Sequence, residues 1–388
     1  MTYRILTLNN ISVAGLERLP RELYEVASEI GHPDAVLLRS APMHDMDLPD
    51  TVKAIGRAGA GVNNIPVEQM TRLGIPVFNA PGANANAVKE LVLAGMLLGA
   101  RNICQGWAYV QSLEGEDDEL HQAVEAGKKR FRGFELPGKT LGVIGLGAIG
   151  VEVANAALAL GMKVIGYDPK VTVERAWQLS SGVEQADTIE TLCRRSDFIT
   201  VHVPLNKHTR DMINADRLGL MPDGVVILNF ARGGIIDEVA LAAALDKGRV
   251  RNYVTDFPSN QLRRHPQVTA LPHLGASTGE AEENCAIMVA DNLRDFLEHG
   301  NIRRSVNFPT TILPRTEGQR LAITNANVPN MLGQISTAMA DAGLNIVDML
   351  NKSRGDVAYT LVDVDADVSD DLVRQLEAIE GVLNVRAI

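Results

Sequence analysis

The 388-residue chain carries 37 Lys and Arg against 48 Asp and Glu, a formal charge of −11, and 46% of its residues are hydrophobic. That acidic balance argues against nucleic acid as a general partner, and no uncharged apolar run reaches the ~18 residues of a membrane span. Cys104, Cys193 and Cys285 are scattered, with no C-x-x-C pair and no metal-ligand spacing, so a reducing compartment and no metal site are expected.

The length suggests two or three domains at ~100–200 residues each. The N-terminal residues run directly into a strand-like segment with no signal-peptide pattern, so a soluble, cytoplasmic protein is expected. Residues 3–9, 35–39, 53–57 and 75–79 read as short buried strands separated by helical or turn segments, the pattern of a parallel sheet. Ala85 to Arg101 is a nearly all-apolar helix rich in small residues, suited to a buried connector. Residues 114–127 are acidic and weakly patterned, and Lys128 to Arg132 form a basic cluster.

From Lys139 a second alternating unit begins. Leu141-Gly-Val-Ile-Gly145-Leu-Gly147-Ala-Ile-Gly150 reads as a strand, a tight turn and the start of an Ala-rich helix. A second apolar run, Lys163 to Asp168, ends in an acid 18 residues after Gly150. Gly145 makes the turn, and Gly147 lets the backbone approach a pyrophosphate. Gly150 lets the helix lie close on the strand, and the helix N-terminus faces the phosphates. Asp168 would accept hydrogen bonds from the adenosine ribose and repel a 2′-phosphate, so NAD is expected rather than NADP. Further strands are predicted at 197–204, 224–231, 252–257 and 267–272, with helices at 211–219 and 237–247 between them. Such alternation makes a doubly wound sheet with its ligand beyond the carboxyl ends of the strands. A long helix, 278–300, is followed by a proline-bearing linker, 301–318, and a C-terminal βαββαβ run.

Three stretches at strand ends carry polar residues. Arg232 follows a buried strand and precedes two glycines; its fork of donors fits a carboxylate and polarises a neighbouring carbonyl. His273, between a proline and a glycine turn, suits a proton donor to that carbonyl during hydride transfer. Arg57-Ala58-Gly59-Ala60-Gly61 offers backbone N–H groups as a nest for a carboxylate. Arg57 and Arg39, at the ends of successive strands, could hold a second anion such as phosphate.

The motifs GLGAIG with YDP, HVPL at 202–205, NFARGGIIDE, PHLGAST and RAGAGVNN, with the C-terminal run, resemble the D-2-hydroxyacid dehydrogenase family in its ACT-bearing branch. The resemblance spans essentially the whole chain. It implies an α/β fold of two doubly wound parallel-sheet domains plus a ferredoxin-like ACT domain. The substrate-binding domain would be discontinuous and flavodoxin-like, 1–95 with 288–312; a Rossmann domain would span 96–287 and the ACT domain 318–388. It also implies oxidation of 3-phosphoglycerate, a small phosphorylated 2-hydroxy acid, to 3-phosphohydroxypyruvate with NAD, the entry step of serine biosynthesis. Arg232 would bind substrate and His273 would be the general acid/base. Gly145, Gly147, Ala148, Ile149, Gly150, Asp168, Val203, Pro204, Ala231, Asp256 and Gly275 would hold the cofactor.

One position departs from the family pattern. The family couples its histidine to a glutamate five residues after the aspartate that Asp256 matches; here that position is Gln261. A neutral amide orients an imidazole without stabilising its charged form, so either Gln261 orients His273 without charging it, or another carboxylate such as Asp256 or Glu238 substitutes, or activity is weakened. In the ACT-like segment Asn325, Asn327 and Asn345 fall where the family places effector ligands, which makes an amino acid such as L-serine a candidate effector. A homo-oligomer, dimer or tetramer, is expected from the ACT domain and the connector helix. Two other readings keep part of this pattern: a glyoxylate/hydroxypyruvate-type reductase, and an NAD-sensing protein without turnover.

Overall fold

The computed structural model describes residues 2–316 and 318–388. It divides into two compact units, Met1–Asn84 with Gly279–Ile388, and Ala85–Thr278. No helix among the described residues is long and apolar enough to cross a membrane.

The first unit opens with β1 (Tyr3–Leu8), β2 (Tyr24–Ala27), β3 (Ala35–Leu38), β4 (Ala54–Arg57) and β5 (Val77–Phe78). They form a parallel sheet in the order β2-β1-β3-β4-β5, the flavodoxin-like order in which strand direction of winding reverses beside the first strand. β3 is buried along its whole length, as a central parallel strand covered on both faces must be. The helix Gly279–His299 lies along one face and contributes Ala286, Val289, Leu293 and Phe296 to the core shared with Ile5, Leu37 and Phe78.

The second unit holds β6 (Thr140–Ile144), β7 (Lys163–Tyr167), β8 (Val183–Gln185), β9 (Phe198–Val201), β10 (Val225–Asn229), β11 (Val250–Thr255) and β12 (Val268–Ala270). Their order, β12-β11-β10-β9-β6-β7-β8, is all parallel and reverses between β6 and β9. That reversal is the switch point at which such sheets bind dinucleotides. The helix Ala85–Arg101 packs on this sheet through Val88, Val92, Met96 and Ala100. Its small residues are a packing requirement: a Cβ at Gly99 would stand 2.7 Å from Val226 Cγ1, and one at Gly95 2.8 Å from the Phe230 ring.

The units divide at the starts of two helices, whereas the sequence places the boundaries inside them, at 95/96 and 287/288. The physical reason is that each helix packs as one rigid piece: Ala85–Arg101 on β10 and β11, and Gly279–His299 on β4 and its neighbours.

The C-terminal strands β13 (Gln319–Ala326), β14 (Ile346–Arg354), β15 (Val357–Val364) and β16 (Val382–Ala387) form an antiparallel sheet, β14-β15-β13-β16, with helices Met331–Asp341 and Asp370–Glu377 between them. This is the expected βαββαβ order. The sheet is fastened to the rest of the first unit by a buried arginine. Arg320 donates five hydrogen bonds: two to Asp363 (2.6 and 2.7 Å), two to the carbonyls of His299 and Leu313, and one to that of Pro314. All five guanidinium N–H groups are thereby satisfied. Tyr359 Oη donates to the Gly300 carbonyl at 2.6 Å, and Arg386 Nη2 to that of Leu297 at 2.9 Å. The last carbonyls of the helix Gly279–His299, which lack partners within it, thus find donors on this sheet.

Candidate active site

The Gly145–Gly150 turn joins β6 to the helix Ala148–Ala159. Gly145 has φ +96°, and a Cβ there would meet the His202 carbonyl at 2.8 Å; a Cβ at Gly150 would lie 1.9 Å from the Gly145 carbonyl oxygen. At Gly147 the same test meets no protein atom within 4 Å, so open space stands in front of the helix N-terminus. No side chain caps that helix, which leaves its first N–H groups and the positive end of its dipole to an anion. Asp168, just after β7, accepts from Leu146 N at 2.9 Å and Lys170 N at 2.8 Å. Each oxygen keeps a second lone pair for a ribose hydroxyl.

Two buried polar atoms next to β9 and β11 have no protein partner, His202 Nδ1 and Asp256 Oδ1. Burial pushes the His202 imidazole down to about 3, so it stays neutral, with Nε2 2.9 Å from Thr200 Oγ1. Orphaned buried atoms of this kind call for a ligand or ordered water. A bound dinucleotide would supply matching groups: phosphates for the helix end, ribose hydroxyls for Asp168 and a carboxamide donor for Asp256 Oδ1. The residues therefore fit the expected cofactor. Val203 stands against Gly145, and Pro204 is exposed beside it.

Beyond β10 and β11 the reactive side chains gather around an aromatic ring that the motifs did not single out. Phe257 has the His273 imidazole at 4.7 Å between centroids and the Arg232 guanidinium at 6.0 Å. A buried polar framework holds all three. Asn229 accepts from Ala231 N and donates to the Arg232 carbonyl, while Thr255 Oγ1 donates to the Asn229 carbonyl and accepts from Phe257 N. His273 sits at φ +52°, a strained conformation for a residue with a Cβ, and its N–H donates to the carbonyl of Asp256 at 3.0 Å. Such strain, of order 1 kcal/mol or more, persists only where the surroundings fix it. Here it leaves the imidazole exposed at the strand ends. Asp256 Oδ2 accepts from Gly275 N at 3.0 Å. Burial pushes the Asp256 carboxyl above its ordinary range, against the opposing effects of the Gly275 N–H and the charges of His273 and Arg232.

Gln261 lies exposed in the turn that follows, and no hydrogen bond among the described residues joins it to His273. The charge of His273 acts instead on the Asp256 carboxyl. The aromatic signal for Phe257 was present in the sequence, immediately after Asp256, but an aromatic at a strand end reads first as core.

In the first unit, Arg57 ends β4 and donates from Nε to the carbonyl of Arg39, 2.9 Å away. Arg39 Nη2 is paired with Glu282 at 2.7 Å. The expected nest is partly spent: Ala58 N donates to Leu38 O, and Gly59 N to Arg57 O. Among the described residues, no backbone hydrogen bond is donated by Ala60 N or Gly61 N. In the C-terminal sheet Asn325 is buried, with Nδ2 on the Ala326 carbonyl and Oδ1 unpartnered. Asn327 donates to the Gly355 carbonyl. Asn345 precedes β14, at the opposite end of the sheet from Asn327, because β13 and β14 run in the same direction. Within one chain the three asparagines do not meet.

Residues 93–275 match the family model described as D-isomer specific 2-hydroxyacid dehydrogenase, NAD binding domain. The chain is 40% identical to a D-3-phosphoglycerate dehydrogenase of Methanocaldococcus jannaschii over 84% of its own length and 61% of that protein's. It is also 40% identical to a hydroxypyruvate reductase of Thermotoga maritima, over 70% of its length and 86% of the relative's. Among solved structures it resembles the NAD+-bound 3-phosphoglycerate dehydrogenase of Entamoeba histolytica, with a TM-score of 0.62 and 28% identity over 79% of this chain and 99% of that one. It spans about three fifths of the length of the first of these relatives. With the glycine turn, the acid after β7, and Arg232 and His273 on either side of the Phe257 ring, the chain belongs to the D-isomer specific 2-hydroxyacid dehydrogenase family and carries its NAD-binding domain.

Proposed function

We propose that the chain is an NAD-dependent D-3-phosphoglycerate dehydrogenase, oxidising 3-phosphoglycerate to 3-phosphohydroxypyruvate in the first step of L-serine biosynthesis. The observation that carries this reading is the pair of arginines, Arg39 and Arg57, at the ends of adjacent parallel strands. In this reading they supply charge for a substrate phosphate. Bound NAD would accept the hydride from C2. The protein's own groups do the rest. Arg232 holds the substrate carboxylate with its planar fork and draws electron density from the forming carbonyl. The His273 imidazole takes the hydroxyl proton as the C2–H bond breaks and returns it in the reverse direction. Asp256, through its charge, favours the imidazolium formed in that step. Ala148, Ile149, Val203, Pro204, Ala231 and Gly275 line the cofactor's course in this reading, and Ala60 and Gly61 supply backbone donors to substrate.

A second reading, reduction of hydroxypyruvate, is favoured by the Thermotoga maritima relative. NADH formation from 3-phosphoglycerate at alkaline pH, set beside reduction of phosphohydroxypyruvate and hydroxypyruvate, separates the two. A kcat/KM at least tenfold higher for the phosphorylated ketoacid supports the first reading; equal values support the second. Absence of all three activities with NAD binding retained would leave an NAD sensor.

The C-terminal sheet is proposed as an ACT domain that binds an amino acid such as L-serine. With Asn327 and Asn345 at opposite ends of one sheet, a ligand that uses both needs two chains, which agrees with a homo-oligomer. Calorimetry with L-serine on wild type and Asn345→Ala tests this: heat with the first alone supports it, and heat with neither overturns it.

A further inference from the structure

The phosphate reading of Arg39 leaves one neighbour unexplained. Glu282, in the first turn of the helix Gly279–His299, places Oε1 2.7 Å from Arg39 Nη2. The two side chains are 43% and 36% exposed respectively. A carboxylate therefore already holds one guanidinium nitrogen that a substrate anion would use. Arg57 is part of the same cluster, since its Nε fixes the Arg39 carbonyl and a Cβ on Gly59 would lie 2.0 Å from its Nη1. Burial pushes the nearby Cys285 thiol up, with the charges of Arg57, Arg39 and Glu282 acting on it to a lesser degree.

We infer that Glu282 tunes the affinity for phosphate: its carboxylate is a built-in counter-anion that an incoming phosphate must displace from Arg39. The inference rests on the proposed phosphate-binding role of Arg39. A half-exposed ion pair is weak and exchangeable, so it holds the guanidinium in place without locking it. A dianionic phosphate offers more charge and more acceptors than the carboxylate and replaces it. An unphosphorylated substrate makes no such exchange. Glu282 thus lowers the affinity for the phosphorylated substrate alone. When a site is available only part of the time, the apparent dissociation constant rises by the inverse of that fraction. For an ion pair of this exposure that amounts to about fivefold or less.

The test uses the 388-residue chain and inorganic phosphate as the probe. Calorimetry on wild type, Glu282→Gln and Glu282→Ala should show phosphate binding tightened about three- to fivefold in both variants. In steady-state assays KM for phosphohydroxypyruvate should fall relative to KM for hydroxypyruvate, while kcat for the phosphorylated ketoacid does not rise. A purely structural pair would instead lower thermal stability and leave that KM ratio alone. Unchanged or weakened phosphate binding in both variants overturns the role of Glu282, with weakening showing that Glu282 positions Arg39 for phosphate. Arg39→Ala separates this failure from failure of the underlying reading. If Arg39→Ala raises KM for phosphohydroxypyruvate while the Glu282 variants change nothing, only the counter-anion role is lost. If Arg39→Ala leaves the KM ratio unchanged, Arg39 does not hold the phosphate and both fall together.

Discussion

Asp363, on β15 of the C-terminal sheet, and Asp256, just past β11 of the second unit, are both buried aspartates, at 1% exposure each. Around Asp363 both oxygens accept from Arg320, and Thr316 adds a hydroxyl. Burial alone would push its carboxyl up, but the hydrogen bonds from Arg320 and Thr316 and the guanidinium charge together hold it below the ordinary range. Asp256 has one backbone N–H on Oδ2, nothing on Oδ1, and a carboxyl pushed up by burial. The first arrangement is complete within the protein and serves docking. The second leaves Oδ1 without a protein partner, and a buried acceptor of that kind beside an exposed, strained histidine marks a ligand site.

Breaking the complete arrangement should have the largest effect. Arg320→Ala leaves a buried carboxylate uncompensated and should cost about 3–5 kcal/mol in urea unfolding. Arg320→Met with Asp363→Leu should recover most of that loss. A cost below about 1 kcal/mol for the single variant would mean that water reaches Asp363.

The glycine turn sharpens the distinction between fold and ligand. Gly150→Ala forces a Cβ against the Gly145 carbonyl oxygen and should disturb the turn itself, seen as a lowered Tm. Gly147→Ala meets no protein atom, so it should keep the wild-type Tm and lose NAD affinity, about tenfold or more by fluorescence titration. Equal NAD affinity in Gly147→Ala would remove the pyrophosphate from that space.

The pH dependence of the two aspartates has opposite sign. With its folded-state carboxyl lowered, Asp363 contributes stability that is full above the ordinary carboxylate range and is lost as pH falls through the lowered value. With its carboxyl raised, Asp256 favours the folded state below that range, and the contribution is lost as pH rises through the raised value. Asp256→Asn should therefore match or exceed wild-type stability at neutral pH in urea unfolding. It should also move the pH–rate limb attributed to His273 downward, since the carboxylate that favours imidazolium is gone. Gln261→Glu, at an exposed position, should move that limb upward by less. A larger shift from Gln261→Glu than from Asp256→Asn would return Gln261 to the imidazole.

Much of the second unit was legible in the sequence because each residue there has a backbone reason to be of its type. Gly145, Gly150 and Asp168 lie where turn geometry and strand ends demand them, and Arg232 and His273 follow buried strands. What escaped lacks such a local signature. β2 and β8 are short edge strands, and β8 has no buried residue, so neither shows a continuous apolar run. The helices Ile103–Gln111 and Asp117–Gly127 bury nothing beyond Gly127, which leaves no stripe to recognise. The Arg320–Asp363 and Arg39–Glu282 pairs join residues far apart in sequence, and the partner of His273 depends on how one loop turns. These are tertiary facts, and single residue types do not announce them.

The most direct test is NADH formation from 3-phosphoglycerate by the wild-type chain and by His273→Gln, with NAD affinity measured in both. Turnover by wild type, reduced by about 10²–10⁴ in the variant at unchanged NAD affinity, is the expected result. Equal turnover in both, or none in wild type while NAD is bound, would contradict the assignment of this site as the reaction centre.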